Sequence, residues 1–392
     1  MKQLFSVIAM NVRSIPQRAS MSIATILSVA LMVGVLLFFL AMANGFRATV
    51  TGTGADDVAM ILRGGSQAEL NSNLQRDDVR LIEIAPGVAA DENGNPIMSA
   101  ELYVIVDGIK RSSQTEANLP LRGVESGAGD LRQNFSIVEG RMFEPGAAEL
   151  VVGRGVIREF EGFEFGEVIR LGTNDWTVVG VFSTGGSAFE SEIWTDLGVV
   201  QNLYQRGSSV QSVRVRLTEP DAIEALREYT DSEDRLNVDV SSEAEYFAAS
   251  AASGTITLID YVAWPLAITM AIGAFAGAWN TMYSSVETRM REIATLRTIG
   301  FSGFAAFMGT LIEALVLAAI GGALGATIVY LVFNGFSAST LGSGFTQVVF
   351  TFAVTGSSIV VGVVLALIVG FLGGIIPGIR AARVPLLAVH SG

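Results

Sequence analysis

Ala314–Ile379, ALVLAAIGGALGATIVYLVFNGFSASTLGSGFTQVVFTFAVTGSSIVVGVVLALIVGFLGGIIPGI, runs for 66 residues without a single charge. A helix needs about 20 apolar residues to cross the hydrocarbon of a bilayer, so the run is too long for one span. Its middle, Asn334–Thr346 (NGFSASTLGSGFT), is rich in Gly, Ser and Thr and reads as a turn. The pattern predicts helices over 304–333 and 348–379, joined by an outer loop over 334–347.

Two further runs lie upstream. Ala19–Phe46 is uncharged over 28 residues, with its densest apolar core at Ile23–Met42. It exceeds the apolar region of a signal peptide and lacks a convincing cleavage site, which predicts a retained span over 19–46. Tyr261–Val286 is also uncharged and has Trp264 and Trp279 near its ends, as interfacial anchors would be. It predicts a second span over 256–286, making four in all.

Charge sets their orientation. Lys2, Arg13 and Arg18 precede the first span, Arg289, Arg291 and Arg297 lie between the second and third, and Arg380 and Arg383 follow the fourth. Cationic loops stay on the cytoplasmic side, so 1–18, 287–303 and 380–392 are expected inside and 47–255 outside. That outer segment holds 34 acidic and 17 basic residues, against 4 and 8 in the remainder. Strand-like runs (Val58–Leu62, Leu102–Val106, Glu149–Val152, Trp176–Val181, Val213–Leu217) mix there with helical ones (Asp77–Ile84, Pro220–Tyr229). The fold class expected is an α-helical membrane domain of four transmembrane helices with an inserted extracytoplasmic α+β domain, which could comprise two subdomains.

Composition excludes several activities. Cysteine is absent, His390 is the single histidine, and Lys2 and Lys110 are the only lysines. A His-based triad, a multi-histidine metal site and a thiolate site all lack their residues. A phosphate-binding P-loop needs a lysine after glycine, and neither lysine follows one, so these residues carry no such motif. No catalytic, cofactor or metal site is expected, and the acidic balance of −13 offers nothing to nucleic acid.

The segment richest in mechanism is Asn280–Phe301, NTMYSSVETRMREIATLRTIGF. Val286, Met290, Ile293, Leu296 and Ile299 recur at helical spacing, Glu287, Arg289, Arg291 and Arg297 fall mainly elsewhere, and Gly300 would end the helix. Such a helix either lies in the membrane interface or docks on a partner and passes motion to the spans. Met1–Arg18 reads as an amphipathic helix on the inner surface, with Leu4, Phe5, Ile8 and Val12 apolar and a stop near Pro16. Glu313, inside the third span near its cytoplasmic end, is expected to pair with an arginine such as Arg297 or Arg380, in a structural or coupling role. Gly273–Gly277 and Gly321–Gly325 have the spacing that lets helices approach closely, within the chain or in a dimer.

These residues resemble the macrolide-exporter (MacB-like) and lipoprotein-releasing permease family of ABC transporters. The resemblance rests on Asn280-Thr281-Met282, on Val286–Ile293 (VETRMREI) and on Arg297-Thr298-Ile299-Gly300. Leu311–Ala314 with Gly321–Gly325, and Pro377–Pro385 (PGIRAARVP), look like the family's third span and its exit from the fourth. Val138–Arg141, Val178–Phe182 and Glu192–Trp194 resemble its periplasmic core domain. The chain departs from the pattern at Glu287-Thr288-Arg289, where the family often has Thr-Glu-Arg.

The resemblance implies an inner-membrane permease subunit that couples ATP hydrolysis in a separate ATPase to extrusion outside, by mechanotransmission. It implies an ATPase-coupling set of Glu287, Arg289, Met290, Arg291, Glu292, Ile293, Leu296 and Arg297. Two ATPase copies would bind ATP and Mg, and a second permease copy, identical or a sister chain, would complete the complex. A periplasmic adaptor and an outer-membrane duct are further implied partners, besides membrane lipid. A lipoprotein-releasing subunit, or a regulator that transmits motion to a cell-wall hydrolase and moves no substrate, are the alternatives.

Overall fold

The computed structural model describes residues 2–252, 255–341 and 346–383. The tail with His390, and the side chains of Leu4, Phe5 and Val12 in the amphipathic face read at the N-terminus, lie outside what is described. The helices, in chain order, are α1 (Lys2–Arg13), α2 (Ala19–Thr51), α3 (Arg76–Glu83), α4 (Arg154–Glu159), α5 (Leu197–Leu203), α6 (Ile223–Ser232), α7 (Glu243–Ala252), α8 (Thr255–Thr288), α9 (Met290–Thr298), α10 (Gly303–Phe333) and α11 (Gly356–Ala382). The chain forms two units, one comprising 1–44, 259–336 and 352–392, the other 45–258 and 337–351.

Among the described residues, four helices lying wholly or mostly in the first unit are long and apolar enough to cross a membrane: Ile15–Thr51, Tyr261–Thr288, Gly303–Phe333 and Gly356–Ala382. Each start has a local cause. Pro16 opens the short 3-10 turn Ile15–Arg18 that leads into α2, where its missing N–H costs nothing. Ser302 and Thr355 cap α10 and α11 by accepting from the amides of Ala305 and Ser358. The four helices share one core, with Val29, Met32, Val33 and Leu37 of α2 against Ala274 of α8, Ala326 and Val329 of α10, and Ala366 and Val369 of α11.

The fourth span starts later than its apolarity suggests. Residues 348–355, expected within it, form the end of a strand and a short irregular link instead, and the helix begins at Gly356. Apolarity alone does not separate a buried strand from a span, and Val348–Thr351 (VVFT) is β-branched and aromatic, the composition strands favour. The first span likewise continues beyond 46, to Thr51.

Among the described residues, the second unit is built on ten strands: β1 (Val58–Arg63), β2 (Met98–Ile109), β3 (Glu116–Val124), β4 (Ser136–Gly140), β5 (Glu149–Gly153), β6 (Val168–Leu171), β7 (Asn174–Ser183), β8 (Ile193–Asp196), β9 (Ser212–Arg216) and β10 (Val238–Ser242). They form one mixed sheet in the order β10-β1-β9-β2-β3-β8-β5-β7-β4, with β6 on β7. The pairs β3–β8 and β5–β7 are parallel. A hairpin, β11 (Ser337–Leu341) and β12 (Gln347–Thr351), occupies the segment expected as the outer loop and belongs to this unit. The Val349 amide donates to Ser191 Oγ at 2.8 Å, and Ser339 Oγ meets Glu159 Oε1 at 2.7 Å.

One continuous sheet carries two apolar cores on the same face, in place of two separate subdomains. Ala59, Ile61, Val213 and Val215 pack with α3 and α6, while Leu119, Leu121, Leu150, Val152, Trp176 and Val178 pack with α4 and α5. Because side chains alternate along a strand, Glu101, Arg122, Arg214 and Trp194 point to the opposite face. There they are buried as well.

Candidate functional site

The candidate coupling site lies where α8 gives way to α9. A single residue, Arg289, breaks the two helices at φ −102°, ψ 10°, outside the helical basin. Its carbonyl already accepts from the Ile293 amide at 2.9 Å, so α9 starts afresh as a separate helix. Gly300, at φ +100°, ends the segment in a conformation that suits glycine alone.

The faces of α9 differ from the stripe read in the sequence. Ile293 and Ala294 are buried with Val286, Ala381 and the half-buried Met290 and Ala306. Leu296 and Arg297 are half-buried, and Ile299, expected on the apolar stripe, is 69% exposed. Glu287, Arg291 and Glu292 face outward. Arg289 turns inward, against the expectation that the charges share the exposed side, because a carboxylate waits for it in α10.

That carboxylate is Glu313, buried within its span. Its Oε1 lies 3.0 Å from Arg18 Nη1 and its Oε2 lies 3.6 Å from Arg289 Nη1. The partners expected from the sequence were Arg297 or Arg380. Arg380 instead sits 4.0 Å over the Tyr283 ring, and Arg18, distant in sequence, takes its place. Arg289 also donates to Asn11 Oδ1 at 2.7 Å and to Glu292 Oε2 at 3.1 Å, while Arg18 donates to Ser14 Oγ at 2.7 Å and to Ser285 Oγ.

The glycine pairs are placed differently from each other. A Cβ on Gly321 would lie 2.8 Å from the Ile26 carbonyl oxygen and one on Gly325 only 2.4 Å from that of Ala30. This pair lets α10 approach α2 within the chain. Gly277 is 3.6 Å from Ser28, and Gly273 has nothing within 4 Å.

A second ionic cluster, which the sequence did not disclose, lies in the outer unit. Arg122 reaches Glu69 (2.7 Å), Glu101 (2.9 Å) and Glu192 (2.7 Å); Arg214 reaches Glu69 (3.0 Å), Glu101 (2.5 Å) and Glu243 (2.9 Å); Arg132 reaches Glu101 (2.6 Å). Arg132 is also sandwiched against Phe189 and Trp194, at 4.8 and 5.0 Å. Burial works against ionisation of Glu69 and Glu101, but the surrounding guanidiniums outweigh it and hold both below the usual carboxylate range. At Glu243 burial dominates over Arg214 and Arg132 and raises the value. Burial, with Glu69 nearby, likewise pushes the Tyr246 phenol up to about 12.

This cluster floors a cavity of about 80 Å³ walled by Phe46, Tyr103, Tyr246 and Phe247. Its polar groups chiefly satisfy one another: Tyr103 pairs with Thr346, and Glu192 takes Arg122 and the Trp194 indole. Among the described residues, no group of acidic or histidine side chains could hold a metal ion.

Comparison with known proteins gives the following. The MacB-like periplasmic core domain model matches residues 22–232, and the FtsX-like permease C-terminal model matches residues 265–386. A macrolide export ATP-binding/permease protein MacB of Rhodopseudomonas palustris (strain HaA2) is 25% identical over 399 residues, covering 94% of this chain and 58% of its own length. Its namesake in Vibrio parahaemolyticus is 23% identical over 359 residues, covering 82% and 53%. The chain thus spans little more than half of the curated relatives it matches. The periplasmic region of MacB from Actinobacillus actinomycetemcomitans aligns with 52% of this chain and 96% of its own, at 13% identity and TM-score 0.38. The extracellular domain of the transporter YknZ from Gram-positive bacteria aligns with 47% and 100%, at 16% identity and TM-score 0.34.

Proposed function

This chain belongs to the family of permeases with a MacB-like periplasmic core domain and an FtsX-like C-terminal domain, and we propose that it is the membrane subunit of an ATP-driven exporter, coupled through α9 to an ATPase on a separate subunit. The observation that carries the reading is the division of labour on α9. Its apolar residues Ile293 and Ala294 are anchored in the chain's own core, while Arg291 and Glu292 present charge of both signs outward, next to the exposed Glu287 at the end of α8. A helix bound only to lipid would turn its apolar face out; this one turns it in and leaves a charged surface that fits a protein partner.

In this reading two ATPase copies bind ATP and Mg, and two permease copies assemble on them. Closure of the ATPases pushes α9, and the push reaches the outer domain without substrate crossing the bilayer centre. The matched relatives' names, macrolide export ATP-binding/permease proteins, support export as the outcome. A periplasmic adaptor and an outer duct fit an export complex in a two-membrane cell.

Assembly tests the reading. The chain, purified in detergent with its candidate ATPase, is compared with Arg291→Glu and Glu287→Arg, both on the exposed face. Each is expected to leave the chain folded, since surface changes shift stability by about 0.5 kcal/mol or less, yet to abolish co-purification. Co-purification that survives both changes together would remove α9 and the adjoining end of α8 as the docking element.

A further inference from the structure

Arg289 occupies an unusual position for a residue of a docking helix. It sits at the one-residue break between α8 and α9, with its side chain only 10% exposed; one edge of its guanidinium touches Glu292, and the rest turns inward, away from the surface that Arg291 presents. Its guanidinium spans two other elements, Asn11 of α1 and Glu313 of α10. Glu313, 3% exposed, hands the connection on to Arg18, where the 3-10 turn meets α2. Arg18 in turn donates back to Ser285 of α8. Four helices therefore meet at one carboxylate held between two guanidiniums.

We propose that Arg289–Glu313–Arg18 is the joint that carries displacement of α9 into α1, α2 and α10, so that Arg289 and Glu313 are positioning residues for coupling rather than docking residues. The proposal rests on the coupling reading above and assigns its moving part. Three features support it. A break between helices can change angle without unwinding either one. The tie at the break is charged and sheltered, where ionic contacts keep their strength and direction. Nearby, α1 lies so close on α10 that a Cβ on Gly309 would sit 2.7 Å from Asn11 Nδ2, so movement of Asn11 has no slack to dissipate in. A purely apolar contact would slide; a fork held at both ends by oxygen atoms pulls as well as pushes.

The test uses the whole chain assembled with its ATPase in nanodiscs. Because the sequence has no cysteine, Glu92→Cys, on an exposed outer turn, gives one spin label per copy. The distance between the two labels is read with and without ATP for the parent and for Glu313→Gln, Arg289→Gln and the double variant. The expected result is unchanged ATPase binding with an ATP-dependent shift reduced about 5-fold or more in population. The double variant should be no worse than either single one, and Glu313→Asp should restore part of the shift. If Glu313→Gln fails to fold, Arg289→Lys carries the same test, since an ammonium keeps the charge but loses the fork. A full shift in the variants, or a loss of ATPase binding parallel to the loss of shift, overturns the joint and leaves the coupling reading standing. A parent complex that shows no ATP-dependent shift overturns both.

Discussion

Two clusters of buried charge, one in each unit, use the same chemistry to opposite ends. In the outer domain three guanidiniums and four carboxylates interlock over β2, β3, β9, α7 and the turn before β8, with the arginine side chains no more than 1% exposed. Near the cytoplasmic ends of the spans one buried carboxylate, Glu313, joins two arginines, which keep side-chain exposures of 17% and 10%, with the exposed Glu292 also on Arg289. A buried charge with several partners at once cannot shift without stranding another, so the first cluster locks its sheet. Glu313, paired with two arginines where Glu101 holds three, has fewer ties to break and can follow either of them. The difference separates where the fold is held from where it is articulated.

The sharpest way to break this contrast is Glu101→Leu. It leaves Arg132 without its carboxylate and removes a shared partner of Arg122 and Arg214, and breaking such a pair costs about 3–5 kcal/mol. The melting temperature of the purified chain should collapse. A fall no larger than that of Glu313→Gln would show the outer network to be no more locked than the inner joint. Next is Gly325→Val, which drives a side chain into the Ala30 carbonyl. Overpacking of this kind costs about 1–3 kcal/mol, and thermal unfolding in detergent should show it, whereas Gly273→Val should be silent.

Acidification sharpens the contrast further. Glu69 and Glu101 are held below their ordinary values, so their contribution is full above the unfolded carboxylate pKa of about 4.3 and is lost as pH falls below it. Glu243 has the opposite sign: its raised value gives stability that is present below that pH and lost as pH rises through the folded value. The melting temperature should therefore drop below about pH 4. Glu243→Gln should be the mildest carboxylate-to-amide change in the network and leave the acid limb in place. A Glu243→Gln loss as large as that of Glu101→Gln would contradict this assignment.

The spans were legible because charge is absent over long runs, a signal that needs no tertiary context. The hairpin was not, because Val348–Thr351 is as apolar as the span beside it and only its packing beside Ser191 distinguishes the two. Val213-Arg214-Val215-Arg216 shows a different limit. Its alternation correctly predicts a strand, yet places arginine on what would ordinarily be the wet face; α7 covers Arg214 by bringing Glu243 to it, while Arg216 stays partly exposed beside Asp57. Nothing local in the sequence says which of the two is buried. The same holds for Arg289, which sits among outward charges but is claimed by Glu313, 24 residues later.

The most direct measurement is ATP hydrolysis by the candidate ATPase in nanodiscs, alone and with this chain, parent against Arg291→Glu. Coupling through α9 predicts no turnover by the chain alone, a rate for the ATPase that changes when the parent chain joins it, and a return to the isolated rate with Arg291→Glu. An ATPase rate indifferent to the parent chain, or a variant that alters it as the parent does, would contradict the account.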